Sequence, residues 1–490
     1  MDGAEVAKRN TSKSCWIVLN ADVYDVTSYL EQHPGGAAIL LAQGGGDATA
    51  EFSRIHSPDV LQFLPEGSRL GPIDTTTLGA LAPPRDQATS SPPVPEGSVP
   101  HLSGCVVVDD FEHAAKVVMP ARTWSYVSSF SNSGLSMAAN LGSWSAVSFR
   151  PRVLRDVKRV STKTSILGHA SPLPFYVSPM GLLGRGHEDA EIAFVQGFVR
   201  SGIHGLISTV STKPTEDIAA ALDEQLGRTS GGGRDNPSSS QLHFQLYTSP
   251  DRSAATKLIR RAKAAGFRSL WVTVDTPVLG KRTIDRRQMA EEALAIGSEE
   301  QATSIGLGIQ SVVPQSQVSS SLVWEDLRWI KEAWGGPLVL KGIQCAEDAK
   351  LAVEYGCQGI LLSNHGGRQL HSAPDALSTL LEIRQYCPEV LEHLEIYVDG
   401  GLRDGADVLK ALCLGAKGVG VGRPFYYALA AYGTAGVERC VEILAEELRT
   451  AMRLVGVTSL DQVRPDMVNA SRLLNNLWRP IERQPIKSRL

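Results

Sequence analysis

Eight short apolar runs alternate with helical patterns between residues 174 and 424, and this rhythm constrains the fold more than any other feature of the chain. The runs are 174–180 (PFYVSPM), 205–211 (GLISTVS), 243–248 (HFQLYT), 269–275 (SLWVTVD), 337–343 (PLVLKGI), 359–365 (GILLSNH), 395–401 (EIYVDGG) and 418–424 (GVGVGRP). Apolar runs of this length bounded by Gly and Pro fit strands buried in a parallel sheet. The stretches between them, such as 251–266 and 346–356, have helical spacing and end in Gly. Eight strand–helix units predict an α/β fold closed into a (β/α)8 TIM barrel. A doubly wound open sheet is the alternative, but no Gly-x-Gly-x-x-Gly turn links a strand to a helix here. Nearly every run ends in a polar residue: Ser208, Gln245 and Tyr247, Asp275, Lys341, His365, Asp399, Arg423. In a barrel those ends ring one mouth, where active sites form.

The rest of the 490-residue chain divides by composition. Seven prolines at 72, 83, 84, 92, 93, 95 and 100 stand among Ser, Thr and Gly, which predicts a linker over 72–104. It separates a small unit, 1–71, from the barrel, 105–475, with a tail at 476–490. Residues 229–240 (TSGGGRDNPSSS) read as a surface loop, and 285–321, rich in Ser, Gln and Ala, as a long mobile one. A net charge of -4 and 6% aromatics argue against a nucleic-acid partner. No apolar run is long enough to span a membrane, and MDGAEVAKRN lacks an apolar signal core. Seven scattered cysteines without a Cys-x-x-Cys pair predict reduced thiols and an intracellular setting. The final Ser488-Arg489-Leu490 resembles a peroxisomal address, with cytoplasm or mitochondrion as the other expectations.

The small unit carries Trp16, an alternating stretch (WIVLNADVYDV), His33-Pro34-Gly35-Gly36 and, 23 residues after His33, His56. A unit this small gains from a bound group. Two histidines on separate loops can hold a haem iron from both faces, an arrangement suited to electron transfer. These segments, TSKSCWIVLNADVYDVTSYLEQHPGG with FSRIHSPDV, resemble the cytochrome b5 haem domain. The resemblance implies haem b with His33 and His56 as axial ligands.

In the barrel, SNHGGRQL (363–370) sets a histidine and an arginine three residues apart beyond the sixth strand. An imidazole accepts a proton near neutral pH, and a guanidinium clamps a carboxylate. Together they suggest a 2-hydroxy or 2-amino acid substrate. The barrel resembles the FMN-dependent 2-hydroxy acid dehydrogenases and oxidases, and its fusion to a b5-type domain resembles the flavocytochrome b2 group, the L-lactate dehydrogenases (cytochrome). By that resemblance His365 is the catalytic base, Asp275 its carboxylate partner, and Arg368 the substrate carboxylate clamp. Tyr247 meets the substrate hydroxyl, Tyr126 its carboxylate, and Arg282 is a second arginine at the site. Lys341 lies beside flavin N1, and Ser208, Gln245 and Thr273 bond the flavin ring. Asp399, Gly401 and Arg403 of VDGGLRDG, with Gly422 and Arg423 of VGRP, match the ribityl and phosphate site. An anion beside His365 is expected to raise its pKa.

Departures from the family pattern are plain. YVSSFSNSGLSM lacks the usual Gly-Ala and Glu-x-Thr after Tyr126, Met180 replaces a common threonine, and His371 replaces an aspartate. Val210 replaces a larger residue, often Trp or Leu, which widens the expected pocket beyond lactate. The expected reaction oxidises a 2-hydroxy acid, L-lactate by default, to the 2-oxo acid using FMN, with electrons passing through haem to a carrier such as cytochrome c. An oxidase that turns oxygen into peroxide is the rival, and a haem carrier on an unreactive barrel is a third reading. The resemblance also implies a homotetramer.

Overall fold

The computed structural model describes residues 1–33, 36–56, 61, 64–83, 98–227, 240–307 and 318–479. The chain divides into two compact units, Met1–Ser98 and Val99–Leu490.

The first unit is a four-stranded sheet of β1 (Asn10–Thr11), β2 (Ser14–Leu19), β3 (Asp22–Asp25) and β4 (Arg69–Pro72), with helices α1 (Gly3–Ala7), α2 (Ala37–Gln43) and α3 (Thr49–Ile55). The strands are antiparallel. The two faces of β2 serve different cores. Cys15, Ile17 and Leu19 join Leu30, Leu40, Leu41 and Phe52, while Val18 joins Val6, Val23 and Ile73. Part of the stretch expected as linker is therefore built into this unit. Ile73 is 5% exposed, and Thr75–Ala80 forms a 3-10 helix whose Thr77 Oγ1 accepts from Gly3 N at 2.8 Å. The proline count hid this, because one buried isoleucine and a strand end outweigh local composition. Prolines 84, 92, 93 and 95 lie outside the described residues.

The second unit opens with α4 (Val108–Val118), α5 (Ala121–Ser128), α6 (Leu135–Ser145), β5 (Ser148–Phe149) and the hairpin β6 (Thr164–Ile166) and β7 (His169–Ser171). A closed barrel of eight parallel strands follows: β8 (Phe175–Val177), β9 (Gly205–Ser208), β10 (Leu242–Leu246), β11 (Leu270–Thr273), β12 (Leu338–Ile343), β13 (Gly359–Leu362), β14 (Glu395–Asp399) and β15 (Gly418–Val421). β15 pairs with β8 to close the ring. Seven of the eight expected runs contain their strand whole, and β10 begins one residue ahead of its run, at Leu242. Helices between them include α7 (Ala190–Arg200), α8 (Thr215–Gln225), α9 (Arg252–Ala264), α10 (Thr283–Ala295), α11 (Glu299–Leu307) and α12 (Leu327–Trp334). Then come α13 (Ala346–Glu354), α14 (Ala376–Tyr386), α15 (Val390–His393), α16 (Gly405–Leu414) and α17 (Arg423–Val455), the last broken at Gly433.

Side chains alternate along a strand, so each strand feeds two cores. Outward residues such as Phe244, Val272, Leu340 and Val398 pack on the helices. Inward residues Tyr176, Leu206, Trp271, Val339, Leu361 and Tyr397 fill the lumen, with Ile166 of the hairpin beside them at the strands' N-terminal end. Two residues further along each strand the inward positions become polar: Ser178, Ser208, Thr273, Lys341, Ser363 and Asp399. The lumen is a greasy plug carrying a polar crown at its C-terminal mouth.

The region expected as a mobile loop from 285 is helical through 307. Met289, Ala290, Ala293, Ala302 and Ile305 pair α10 with α11. A Ser/Gln/Ala-rich composition concealed apolar residues at helical spacing. Residues 308–317, most of 229–240 and 480–490 lie outside the described residues.

Candidate active site

The crown gathers the expected chemistry around one cleft. Tyr126, Ser208, Gln245, Tyr247, Thr273, Arg282, Lys341, His365, Arg368, Asp399, Gly401, Arg403, Gly422 and Arg423 all line it. Asp275 sits just beneath, its side chain wholly buried, with Oδ1 3.1 Å from His365 Nδ1 and Oδ2 3.8 Å from Lys341 Nζ. Thr276 Oγ1 donates to the same Oδ1 at 2.8 Å. Tyr247 O–H faces His365 Nε2 at 3.2 Å.

These contacts fix the protonation states. Burial would raise the Asp275 carboxyl, but Lys341, His365 and the hydrogen bonds overcome it and hold it at about 2. Burial and then the Lys341 cation push His365 down to about 4, more than Asp275 lifts it. Asp275 raises the pKa as expected, but the buried site and a nearby ammonium outweigh that one carboxylate. At neutral pH His365 is an uncharged imidazole whose Nδ1–H donates to ionised Asp275. Its Nε2 is the basic nitrogen, facing the cleft beside Tyr247. Burial also raises the Tyr247 phenol, which stays a donor.

Backbone geometry sets up this chain. β12 bulges between Lys341 and Ile343, and Gly342 sits at φ 111°. A Cβ there would lie 2.5 Å from Asp275 Cβ, so only glycine lets the two strands bring Asp275 to Lys341. His365 itself is at φ 62°, a strained conformation for a non-glycine residue and one found at functional sites. Three groups the sequence did not flag hold it. Ser363 Oγ accepts from His365 N at 3.1 Å and from Lys341 Nζ at 3.4 Å. Asn364 and Asn140 exchange two amide hydrogen bonds of 2.7 and 2.8 Å, and Asn364 Oδ1 also accepts from Gly367 N. Gln369 bridges Asp275 O, Val278 O and Gly280 N. Ser363, Asn364 and Gln369 lie in the SNHGGRQL motif; Asn140 carries no local signal.

A second cluster surrounds Tyr126. The Arg368 guanidinium carbon lies 4.9 Å from the Tyr126 ring centre, that of Arg185 5.4 Å and that of Arg282 5.9 Å. Arg368 Nη1 donates to the carbonyls of Tyr126, Val127 and Ser129. Burial, then Arg282, pushes its pKa down to about 9, and the guanidinium stays charged. Arg282 Nε is buried without a hydrogen-bond partner among the described residues. The divergent YVSSFSNSGLSM stretch is thus ordered through its backbone. Arg423 donates to Val127 O, Ser129 O and Gly366 O, and Ser131 N donates to Gly367 O.

The remaining crown fits a flavin nucleotide. Ser208 Oγ donates to Gln245 Oε1, and Gln245 Nε2 donates to Thr273 Oγ1. Asp399 Oδ1 and Ser178 Oγ are buried without partners among the described residues, as donors and acceptors awaiting a polar ligand would be. Burial raises Asp399 above the usual carboxylate range. A Cβ on Gly422 would meet nothing closer than 3.8 Å, so that edge is open. Arg403 reaches the carboxylates of Glu112 at 2.8 Å and Asp109 at 3.3 Å.

In the first unit, the ring centres of His33 and His56 are 6.2 Å apart. A metal–imidazole bond is about 2 Å and the ring centre lies about 1 Å behind its nitrogen, so two imidazoles on opposite faces of one iron sit about 6 Å apart. The histidine pair is spaced for that role. His33 Nδ1 lies 3.2 Å from Gly36 O, which makes this nitrogen the donor and Nε2 the nitrogen with a free lone pair. Leu30, Leu40, Leu41, Phe52, Leu61 and Leu64 supply an apolar wall. Pro34 and Gly35 lie outside the described residues.

Barrel and crown together define an FMN-dependent dehydrogenase, and the family model of that description matches residues 115–470. The cytochrome b5-like heme/steroid binding domain model matches residues 2–74. The L-lactate dehydrogenase (cytochrome) of Wickerhamomyces anomalus is 34% identical over 476 residues, 96% of this chain and 80% of the relative. That of Saccharomyces cerevisiae is 35% identical over 487 residues with the same coverage. A flavocytochrome b2 structure with pyruvate bound aligns at TM-score 0.67 and 34% identity over 78% of this chain and 91% of that one. A mandelate oxidase with benzoyl-formic acid aligns at 0.62 and 34% over 74% and 98%. The chain belongs to the flavocytochrome b2 family, and its cofactors are FMN and haem. Among the described residues no helix is long and apolar enough to cross a membrane.

Proposed function

We propose that this enzyme oxidises an L-2-hydroxy acid to the 2-oxo acid and hands the electrons through haem to a carrier such as cytochrome c. The observation that carries the reading is the buried Tyr247–His365–Asp275–Lys341 chain beside the arginine–tyrosine cluster. Bound FMN supplies the two-electron acceptor, and haem b carries electrons onward singly.

The residues do the rest. Arg368, Arg282 and Tyr126 hold the substrate carboxylate. The Tyr247 hydroxyl, already at His365 Nε2, marks the place of the substrate hydroxyl. His365 Nε2 takes the substrate proton, and the imidazolium that forms is stabilised by Asp275. Ser208, Gln245 and Thr273 hold the flavin ring, and Lys341 gives its edge a fixed positive charge. Gly401, Gly422, Asp399, Arg403 and Arg423 hold the ribityl phosphate arm. His33 and His56 hold the haem iron. The assembly is a homotetramer.

The substrate side chain meets Met180, Gly181, Val210 and Leu279, all on the cleft wall. Gly181 lies so close to Val210 that a Cβ there would meet Val210 Cγ2 at 2.5 Å. Two small residues leave room for an acid larger than lactate. The test is kcat/KM for L-lactate, L-2-hydroxybutyrate and L-mandelate, with cytochrome c reduction and peroxide followed together. Val210→Leu should lower kcat/KM for the bulkiest acid turned over by about tenfold relative to lactate. One peroxide per turnover with no cytochrome c reduction would establish the oxidase instead.

A further inference from the structure

Tyr126 and Arg282 come from distant parts of the chain and need something to hold them side by side. Arg122 precedes Tyr126 by four residues on α5, so the two share a helix face. Arg282 is the N-cap of α10, and Asp285 follows three residues later in its first turn, where the helix dipole favours a carboxylate. Asp285 is 4% exposed. Arg122 Nη1 donates to Asp285 Oδ1 at 2.9 Å and to Asp285 O at 3.2 Å, and Asp285 N reaches Ser129 Oγ at 3.4 Å. Arg122 Nε also lies 3.7 Å from Glu292. Beyond the ion pair the segments are zipped. Ser131 bridges Arg282, Asn132 N donates to Lys281 O, and Thr283 Oγ1 donates to Asn132 O.

We propose that the partly buried Arg122–Asp285 ion pair positions Tyr126 and Arg282 to receive the substrate carboxylate. The pair lies one helical turn behind both residues and locks α5 to α10. It also places an anion beside a cluster of guanidiniums. Arg282 and Arg423 disfavour the charge on Arg368, and Asp285 supports it. Without that anion, repulsion spreads the arginines and the carboxylate site loosens. This inference rests on the proposal that Tyr126 and Arg282 touch substrate.

The test uses the full-length holoenzyme with FMN and haem bound. Asp285→Asn and Arg122→Met should each raise KM for the best hydroxy acid and Ki for oxalate by about ten- to a hundredfold, with a smaller change in kcat. The flavin spectrum and FMN content should stay as in the parent, and Arg122→Lys should recover most of the affinity. Arg122 is a quarter exposed, so its variant keeps the test open if Asp285→Asn does not fold. Tyr126→Phe and Arg282→Lys serve as references. If they raise KM while Asp285→Asn and Arg122→Met do not, the positioning role is overturned and the carboxylate assignment survives. If the references also leave KM unchanged, both fall.

Discussion

Exchanging His365 for Gln should lower kcat by about 10²- to 10⁴-fold, the span that a positioned general base contributes. The amide keeps a similar shape at φ 62° and can still meet Asp275, but no neutral amide accepts a proton at this acidity. FMN and haem should stay bound, because the residues proposed to hold them are unchanged. The pH profile separates a base from a structural role. With a pKa of about 4, His365 is the free base at neutral pH, and protonation removes it only as pH falls through that value. The acid limb of kcat/KM should therefore lie well below the usual histidine value of 6.5 and fall about tenfold per pH unit. Lys341→Met removes a cation that depresses this pKa, so it should move the limb upward. A limb near 6.5 in the parent would contradict the electrostatics described above.

The second large effect falls on the other unit. His33→Ala or His56→Ala should abolish haem binding and reduce cytochrome c reduction to background, while the hydroxy acid still reduces the flavin in single turnover. The two imidazoles, 6.2 Å apart at their centres, make a site only as a pair. The expected readout is a missing Soret band with flavin absorbance retained. Undiminished haem in either variant would remove that residue from the ligand pair. The apolar wall of Leu30, Leu40, Leu41 and Phe52 should also part with its ligand, so the unit's thermal midpoint should drop.

How far the sequence carried depends on the range of each interaction. Every barrel strand was legible, because a buried parallel strand is one short apolar run and its polar end stands at a fixed offset. His365 and Arg368 stood out because motif and chemistry occupy eight consecutive residues. Interactions across long sequence distances were invisible. Asn140 supports Asn364 from 224 positions away, and Arg122 pairs with Asp285 from 163. The lift that Asp275 gives His365 was legible, but its net acidity was not, since neither burial nor the approach of Lys341 can be read from the residues flanking it. The helices over 283–307 were missed because composition was weighed above apolar spacing. The extra turn at Thr75–Ala80 was missed because prolines drew the boundary.

The most direct test of the account is an anaerobic visible spectrum of the purified protein before and after adding L-lactate, with L-2-hydroxybutyrate and L-mandelate in parallel. A haem Soret band with flavin absorbance is expected, then flavin bleaching by at least one of these acids, with haem reduction following it. Bleached flavin beside haem that stays oxidised would contradict the route through haem. A protein that carries no flavin at all would contradict the active site itself.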